Sequence, residues 1–225
     1  MELHNSIKPM RTLLKTVIAS LLAVLLPCVD VSAQQAATPN EARQVFDKVY
    51  DKVFGPQGST LRYDVNIIGL YKTHGTITYK GKKQRFSDER VDTWNDGKTA
   101  FMVYRKKKTV EIHDANSDKK DKYSGKFKFS LDDFDYSMEH DGSDLVLILK
   151  RHKKAKGTIK EVRAWVNAET LVPSYVKIKV SFIWAKIRIS EFKSGGVSDA
   201  MFVFPIDNYR EGYRFFDKRD KGDRK

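Results

Sequence analysis

From Thr60 onward apolar residues fall on every second position, and this period of two constrains the chain more than any other feature. Leu61, Tyr63, Val65 and Ile67 alternate with Arg62, Asp64 and Asn66, the pattern of a strand with one face buried and one wetted. It resumes at Ile77 and Tyr79 and around Phe86; Thr99–Tyr104 and residues 109–113 read as further strands, with Val110 and Ile112 sharing a face in the second. Asn95-Asp96-Gly97, directly after Trp94, is a tight-turn signal. Further strand candidates are residues 126–131, 145–150, 159–166, 174–180, 185–192 and 201–204. Short strands separated by turns, with no helical crossovers between them, predict an antiparallel sheet.

Ahead of the strands the period is helical. Thr38-Pro39-Asn40-Glu41 offers an N-cap hydroxyl, a proline at the first helical position and a carboxylate three residues after the cap. Ala42, Val45, Phe46, Val49, Tyr50, Val53 and Phe54 then recur on one face, and Gly55 supplies the stop. That face must cover something apolar, so the sheet is expected to curl around the helix. Two stretches break the alternation. Residues 145–149 are apolar at every position, which predicts a strand covered on both faces. Between Tyr175 and Ile189 the apolar parity changes near Trp184 with no Gly, Pro or Asn to mark a turn. Either a bulge sits there or a hairpin has an apolar tip at Phe182-Ile183-Trp184.

The first 33 residues carry the grammar of an export signal: Arg11 and Lys15, an apolar run over residues 17–29, then Val31-Ser32-Ala33. The run is shorter than the roughly 20 residues that cross a bilayer. Cleavage after Ala33 is therefore expected, with a retained anchor as the alternative. Residues 34–225 are expected to form one domain, with a frayed, charged tail from about 217. Cleavage removes Cys28, the only cysteine, and with it any thiol for a disulfide, a metal or a nucleophile. The formal net charge is +13, which favours polyanions. An exported chain meets anionic headgroups and envelope polymers before it meets DNA. The basic clumps at 105–108, 119–122 and 150–156 read as solvated turns, and none is interleaved with the stacking aromatics of a nucleic-acid surface.

Catalytic patterns are absent from the sequence. His74, His113, His140 and His152 lack the spacing of a zinc site, and no nucleophile elbow, phosphate-cradling glycine loop or dinucleotide fingerprint occurs. Asp132-Asp133 with Asp135 lacks the spaced ligands and glycine of a calcium loop. No enzyme activity, cofactor or metal is expected.

Four stretches carry a resemblance: Gly75-Thr76-Ile77-Thr78-Tyr79-Lys80; Asn95-Asp96-Gly97-Lys98-Thr99-Ala100-Phe101-Met102-Val103-Tyr104; Gly195-Gly196-Val197-Ser198-Asp199-Ala200-Met201-Phe202-Val203-Phe204-Pro205; and Phe216-Asp217-Lys218-Arg219. Together they resemble the periplasmic outer-membrane lipoprotein carrier family, LolA. The resemblance implies a mainly β chain of the α+β class. Its sheet would be an incomplete antiparallel barrel, a half-barrel whose apolar cavity is lidded by the N-terminal helix and a lid segment. It implies a monomeric, non-enzymatic periplasmic carrier that shields lipoprotein acyl chains, or those of another amphiphile, on the way from an inner-membrane donor to an outer-membrane acceptor. An unclosed sheet leaves such a hollow, and each buried methylene is worth about 0.8 kcal/mol.

On this reading the cavity and lid are lined by Val45, Val49 and Val53 on the helix, by Tyr63, Val65, Ile77, Tyr79, Phe101 and Val103 on early strands, and by Leu147, Ile178 and Trp184 later. The family carries an arginine after the early lysine near the end of the second strand, where it takes part in lipid uptake and release. Here the stretch is Tyr79-Lys80-Gly81-Lys82-Lys83, and Lys82 supplies the charge without the bidentate geometry. Residues 114–133 are short and polar where the family has apolar lid helices. The same half-barrel also suits an envelope sensor that binds another lipid or a polyanion through its lysine loops. A hydrolase would need a convergent acid pair or an activated nucleophile.

Overall fold

The computed structural model describes residues 37–67, 71–115 and 130–219. The export signal with its cleavage site, the basic clump at 119–122 and most of the 126–131 strand candidate lie outside those residues.

Helix α1 (Pro39–Phe54) begins where the cap residues place it. The Glu41 N–H donates to the Thr38 hydroxyl oxygen at 3.3 Å, and the Thr38 N–H donates to the Glu41 carboxylate at 2.7 Å. These reciprocal bonds satisfy two otherwise orphaned donors. At the other end the Gly55 N–H donates to the Asp51 carbonyl at 2.7 Å, and the Ser59 hydroxyl ties the Val53 carbonyl to the first strand at 2.7 Å.

Among the described residues twelve strands follow: β1 (Ser59–Ile67), β2 (Tyr71–Lys80), β3 (Lys83–Asp88), β4 (Val91–Asn95), β5 (Thr99–Tyr104), β6 (Thr109–Asp114), β7 (Phe134–Asp141), β8 (Asp144–Arg151), β9 (Ile159–Asn167), β10 (Pro173–Val180), β11 (Ile183–Ser194) and β12 (Arg214–Asp217). They form one sheet in the order β12-β6-β5-β4-β3-β2-β1-β11-β10-β9-β8-β7. The sheet is a meander whose halves join where β1 pairs with β11, and it does not close into a barrel. All pairings are antiparallel except β12 on β6, which is parallel. The start of the charged tail therefore adds an edge strand. Residues 201–204 form no strand: a 3-10 turn over Asp199–Phe202, capped by Ser198, leads into Pro205.

Strand parity gives the sheet two faces. On one, α1 packs against β7–β10. Ala42 joins Phe134, Tyr136, Leu149 and Ile159, and Val49 joins Leu145, Leu147 and Val166. This is the helix face. At the other end of the sheet the opposite face is covered instead by the C-terminal segment. There Phe204, Tyr209 and Tyr213 pack with Trp94, Phe101, Val103 and Val110.

All five residues from Leu145 to Leu149 are buried, as their unbroken apolar run requires. The parity change near Trp184 is a hairpin: Val180 pairs with Ile183, and Ser181-Phe182 make the turn with Ser181 at φ +56°. Two of the basic clumps are not solvated throughout. Arg105 forms an ion pair with the buried Asp92. The buried Arg151 side chain reaches Asp133 at 3.2 Å and donates to the Lys156 carbonyl at 2.7 Å. In both places a carboxylate reached from the strand end draws the arginine inward while the neighbouring lysines stay exposed.

Candidate functional site

Two rows of apolar side chains cross the helix face, fixed by register. Met138, Leu147, Ala164, Val176, Ile187 and Val65 stand directly opposite one another across β7, β8, β9, β10, β11 and β1. Tyr136, Leu149, Val162, Ile178, Ala185 and Ile67 form a second row beside it. Under α1 these rows are sealed: Leu147 and Leu149 are each 1% exposed. Towards the middle of the sheet Val176, Ile187, Val65 and Ile67 are only partly buried. The greasy rows thus run on past the cover that the helix provides.

The far wall of this stretch is aromatic. Ile77 lies between Leu61 and Phe86 in register, and Tyr63 stacks on Phe86 with ring centroids 5.8 Å apart. Tyr63 stands opposite Gly75. A side chain at Gly75 would run into the Ser87 carbonyl and come within 2.7 Å of the Tyr63 hydroxyl, so glycine is what lets the ring lie across β2. Where α1 ends, Phe54 meets Tyr79 edge-on at 4.7 Å, and burial pushes the Tyr79 phenol up to about 12. Such a surface offers apolar and aromatic area. Among the described residues no three His, Cys, Asp or Glu side chains are placed to hold a metal ion. Asp132, Asp133 and Asp135 instead pair separately, with Arg43, Arg151 and His152.

Of the residues singled out in the sequence, Val49, Val53 and Leu147 are buried between helix and sheet, with Val45 and Ile178 packed against the same clusters. Tyr63, Val65, Ile77 and Tyr79 share that face, Tyr63 buried and the other three partly so. The register separates Phe101, Val103 and Trp184 from the rest. On β5 it is Ala100 and Met102 that share the helix face, opposite Asn95 and Thr93. Phe101 lies on the other side, stacked 4.4 Å from Phe204, and Val103 is fully buried in the same cluster. Trp184 pairs with Lys179 across the β10–β11 hairpin and also faces away from α1.

Lys82 is exposed in the β2–β3 turn, where the Gly81 N–H donates to the Gly55 carbonyl at 3.2 Å. Its neighbours Lys80 and Lys83 hold Asp199 at 3.0 and 3.2 Å. Those two hydrogen bonds lower the Asp199 carboxyl below its ordinary value and anchor the C-terminal segment. Ile67, Phe86, Val176, Ile187 and Ile189 were not among the expected lining residues. Placing the hairpin turn at Ser181-Phe182 fixes the parity of β11 and brings Ile187 and Ile189 into view.

No protein-family model matches the sequence, and no curated protein is detectably similar to it. Some solved structures are similar to it. An uncharacterised conserved protein from Thermus thermophilus superposes with a TM-score of 0.54 at 9% identity, over 79% of this chain and 99% of that one. A putative outer membrane lipoprotein-sorting protein domain from Vibrio parahaemolyticus gives 0.43 at 8% identity, over 76% and 99%. A LolA superfamily protein from Nitrosomonas europaea gives 0.38 at 10% identity, over 72% and 97%. Among the described residues the chain shares with the Thermus thermophilus protein a mostly β architecture, with one open twelve-stranded sheet and an N-terminal helix, and the likeness is one of fold.

Proposed function

We propose that the chain is a periplasmic carrier, not an enzyme, which holds the acyl chains of lipoproteins or a similar amphiphile on its helix face and passes them from an inner-membrane donor to an outer-membrane acceptor. The observation that carries this reading is the continuation of the apolar rows beyond α1, from sealed Leu147 to partly exposed Val176, Ile187 and Val65. A hydrocarbon tail laid along that stretch gains about 0.8 kcal/mol for each methylene it buries. Ten methylenes supply more than any single polar contact of the face, so affinity scales with tail length. Handover then consists of exchanging that area for an acceptor's, which needs no covalent step and no cofactor. The export signal read in the first 33 residues supports the compartment, and a single, unclosed sheet supports action as a monomer.

Native mass spectrometry of protein purified from a membrane-bearing host tests the reading. Co-purified lipid or lipoprotein, displaced in proportion to added palmitate, is expected. Protein that emerges empty and ignores a fluorescent fatty acid contradicts it.

A further inference from the structure

The face of β9–β11 that points away from α1 has a different chemistry. Across it stand Arg163, Lys177, Lys179, Lys186 and Arg188, interleaved with Trp165, Tyr175 and Trp184. Trp165 and Tyr175 sit with ring centroids 5.2 Å apart, and the Lys177 ammonium lies 4.9 and 5.6 Å from those two rings. The Arg163 guanidinium and the Lys179 ammonium lie 5.8 and 5.7 Å from the Trp184 ring. The acidic groups on this face include Glu161, which holds Arg163 at 2.7 Å, Asp64 opposite Arg188 on β1, Glu139 in the row of Trp165, and Asp141, which accepts from the Trp165 indole at 2.9 Å; the last three lie away from the hairpin tip, where Lys177, Lys179 and Lys186 stand. At the tip of the same hairpin Phe182 is 84% exposed, more than any other large apolar residue among those described. An exposed ring at the end of a strand pair, backed by indoles and a surplus of cations, has the composition of a membrane-facing tip.

We infer that this hairpin docks on the surface of an anionic phospholipid bilayer, with Phe182 entering the acyl boundary, Trp184 at headgroup depth and the lysines and arginines on lipid phosphates. Charge complementarity selects that occupant. Each juxtamembrane cation gains from an anionic leaflet, and aromatic rings with one apolar and one polar end settle at the headgroup level. Cation–ring contacts of the kind seen here hold the ammonium groups on the outer side of the sheet while leaving them free to bind phosphate. The opposite sides of β10 and β11 carry Val176, Ile178 and Ile187, so docking sets the apolar rows beside the membrane. This last consequence rests on the carrier reading; the docking itself does not.

Co-sedimentation of the full chain with vesicles tests the inference, using phosphatidylglycerol–phosphatidylethanolamine vesicles against pure phosphatidylcholine. Binding to the anionic vesicles, weakened at about 0.5 M salt, is expected. Phe182→Ser lowers the partition coefficient about tenfold, and Lys177→Glu with Lys179→Glu lowers it about thirtyfold or more. Phe182 is at an exposed turn, so its replacement leaves the fold intact. Retention of soluble fluorescent fatty acid by both variants, with loss of vesicle binding, separates docking from acyl binding. Equal binding to zwitterionic vesicles, no change in Phe182→Ser, or binding to soluble heparin without binding to anionic vesicles overturns the inference.

Discussion

The two ends of the sheet solve one problem on opposite faces. At β7–β10 the chain covers the helix face with α1, through Ala42, Phe46 and Val49. At β4–β6 it covers the other face, folding the C-terminal segment back so that Phe204 stacks on Phe101 and meets Trp94 edge-on at 5.3 Å. Polar anchors fix each cover: the Thr38–Glu41 box starts the helix, and Lys80 and Lys83 clamp Asp199 at the start of the C-terminal segment. Between them the cover changes sides. The middle strands β10, β11, β1 and β2 therefore carry apolar residues on the helix face that are only partly buried. A sheet covered on one side throughout would have no such stretch. The difference between the ends is what leaves this apolar stretch half-covered.

Independence of the two ends can be broken by mutation. Phe204→Ala is expected to destabilise the protein by about 4 kcal/mol and Leu147→Ala by about 3 kcal/mol, read by urea denaturation. The two clusters share no residue, so the double variant should lose the sum to within about 0.5 kcal/mol. A large coupling would mean that the ends act as one core. The middle responds differently. Gly75→Val forces Tyr63 off Phe86 and should cost about 2 kcal/mol by overpacking, while shifting the fluorescence of a bound fatty acid. Thr38→Ala removes one cap bond and should cost about 1 kcal/mol, with increased amide exchange confined to α1.

Acid probes the β3–β4 turn. Burial raises the Asp88 carboxyl, but hydrogen bonds from the Arg90 side chain and from the Val91 and Arg90 N–H groups outweigh it, and the net shift is downward from 3.8. A carboxyl lowered on folding stabilises the native state above its unfolded pKa and stops doing so as pH falls through the folded value. Stability should therefore drop below about pH 4, and less steeply in Asp88→Asn, as followed by thermal melts across that range.

Much of this was legible in the sequence. The cap Thr38-Pro39-Asn40-Glu41 places the helix to the residue, and Asn95-Asp96-Gly97 places β5, because both signals are local. Strand β7 was not expected, although Phe134, Tyr136 and Met138 alternate; Asp132, Asp133 and Asp135 disguise it as a polar loop until Arg43, Arg151 and His152 are seen to pair with them. Strand β12 is four residues of an edge pair, too short for periodicity to show. The helix-face residues were half legible for a physical reason. Parity sorts a strand into two sets without saying which set faces the helix. In β5 every position from Ala100 to Tyr104 is apolar or aromatic, so Phe101 and Val103 look as well suited to the hollow as Ala100 and Met102 do. Only the register with β4 decides between them. The face of Trp184 was not legible because the hairpin turn ahead of it, made by Ser181 and Phe182, carries no glycine or asparagine to mark it; its pairing with Lys179 decides the side.

The most direct measurement is the affinity of the purified protein for a fluorescent sixteen-carbon fatty acid, in wild type and in Ile187→Asp, at about 0.15 M and about 0.5 M salt. A carboxylate at Ile187 interrupts the row between Val176 and Val65 without touching the sealed core under α1. Saturable binding that persists in high salt and falls at least about tenfold in Ile187→Asp is the predicted result. No saturable binding, or equal affinity in the variant while it remains folded, would contradict the claim that the helix face holds hydrocarbon.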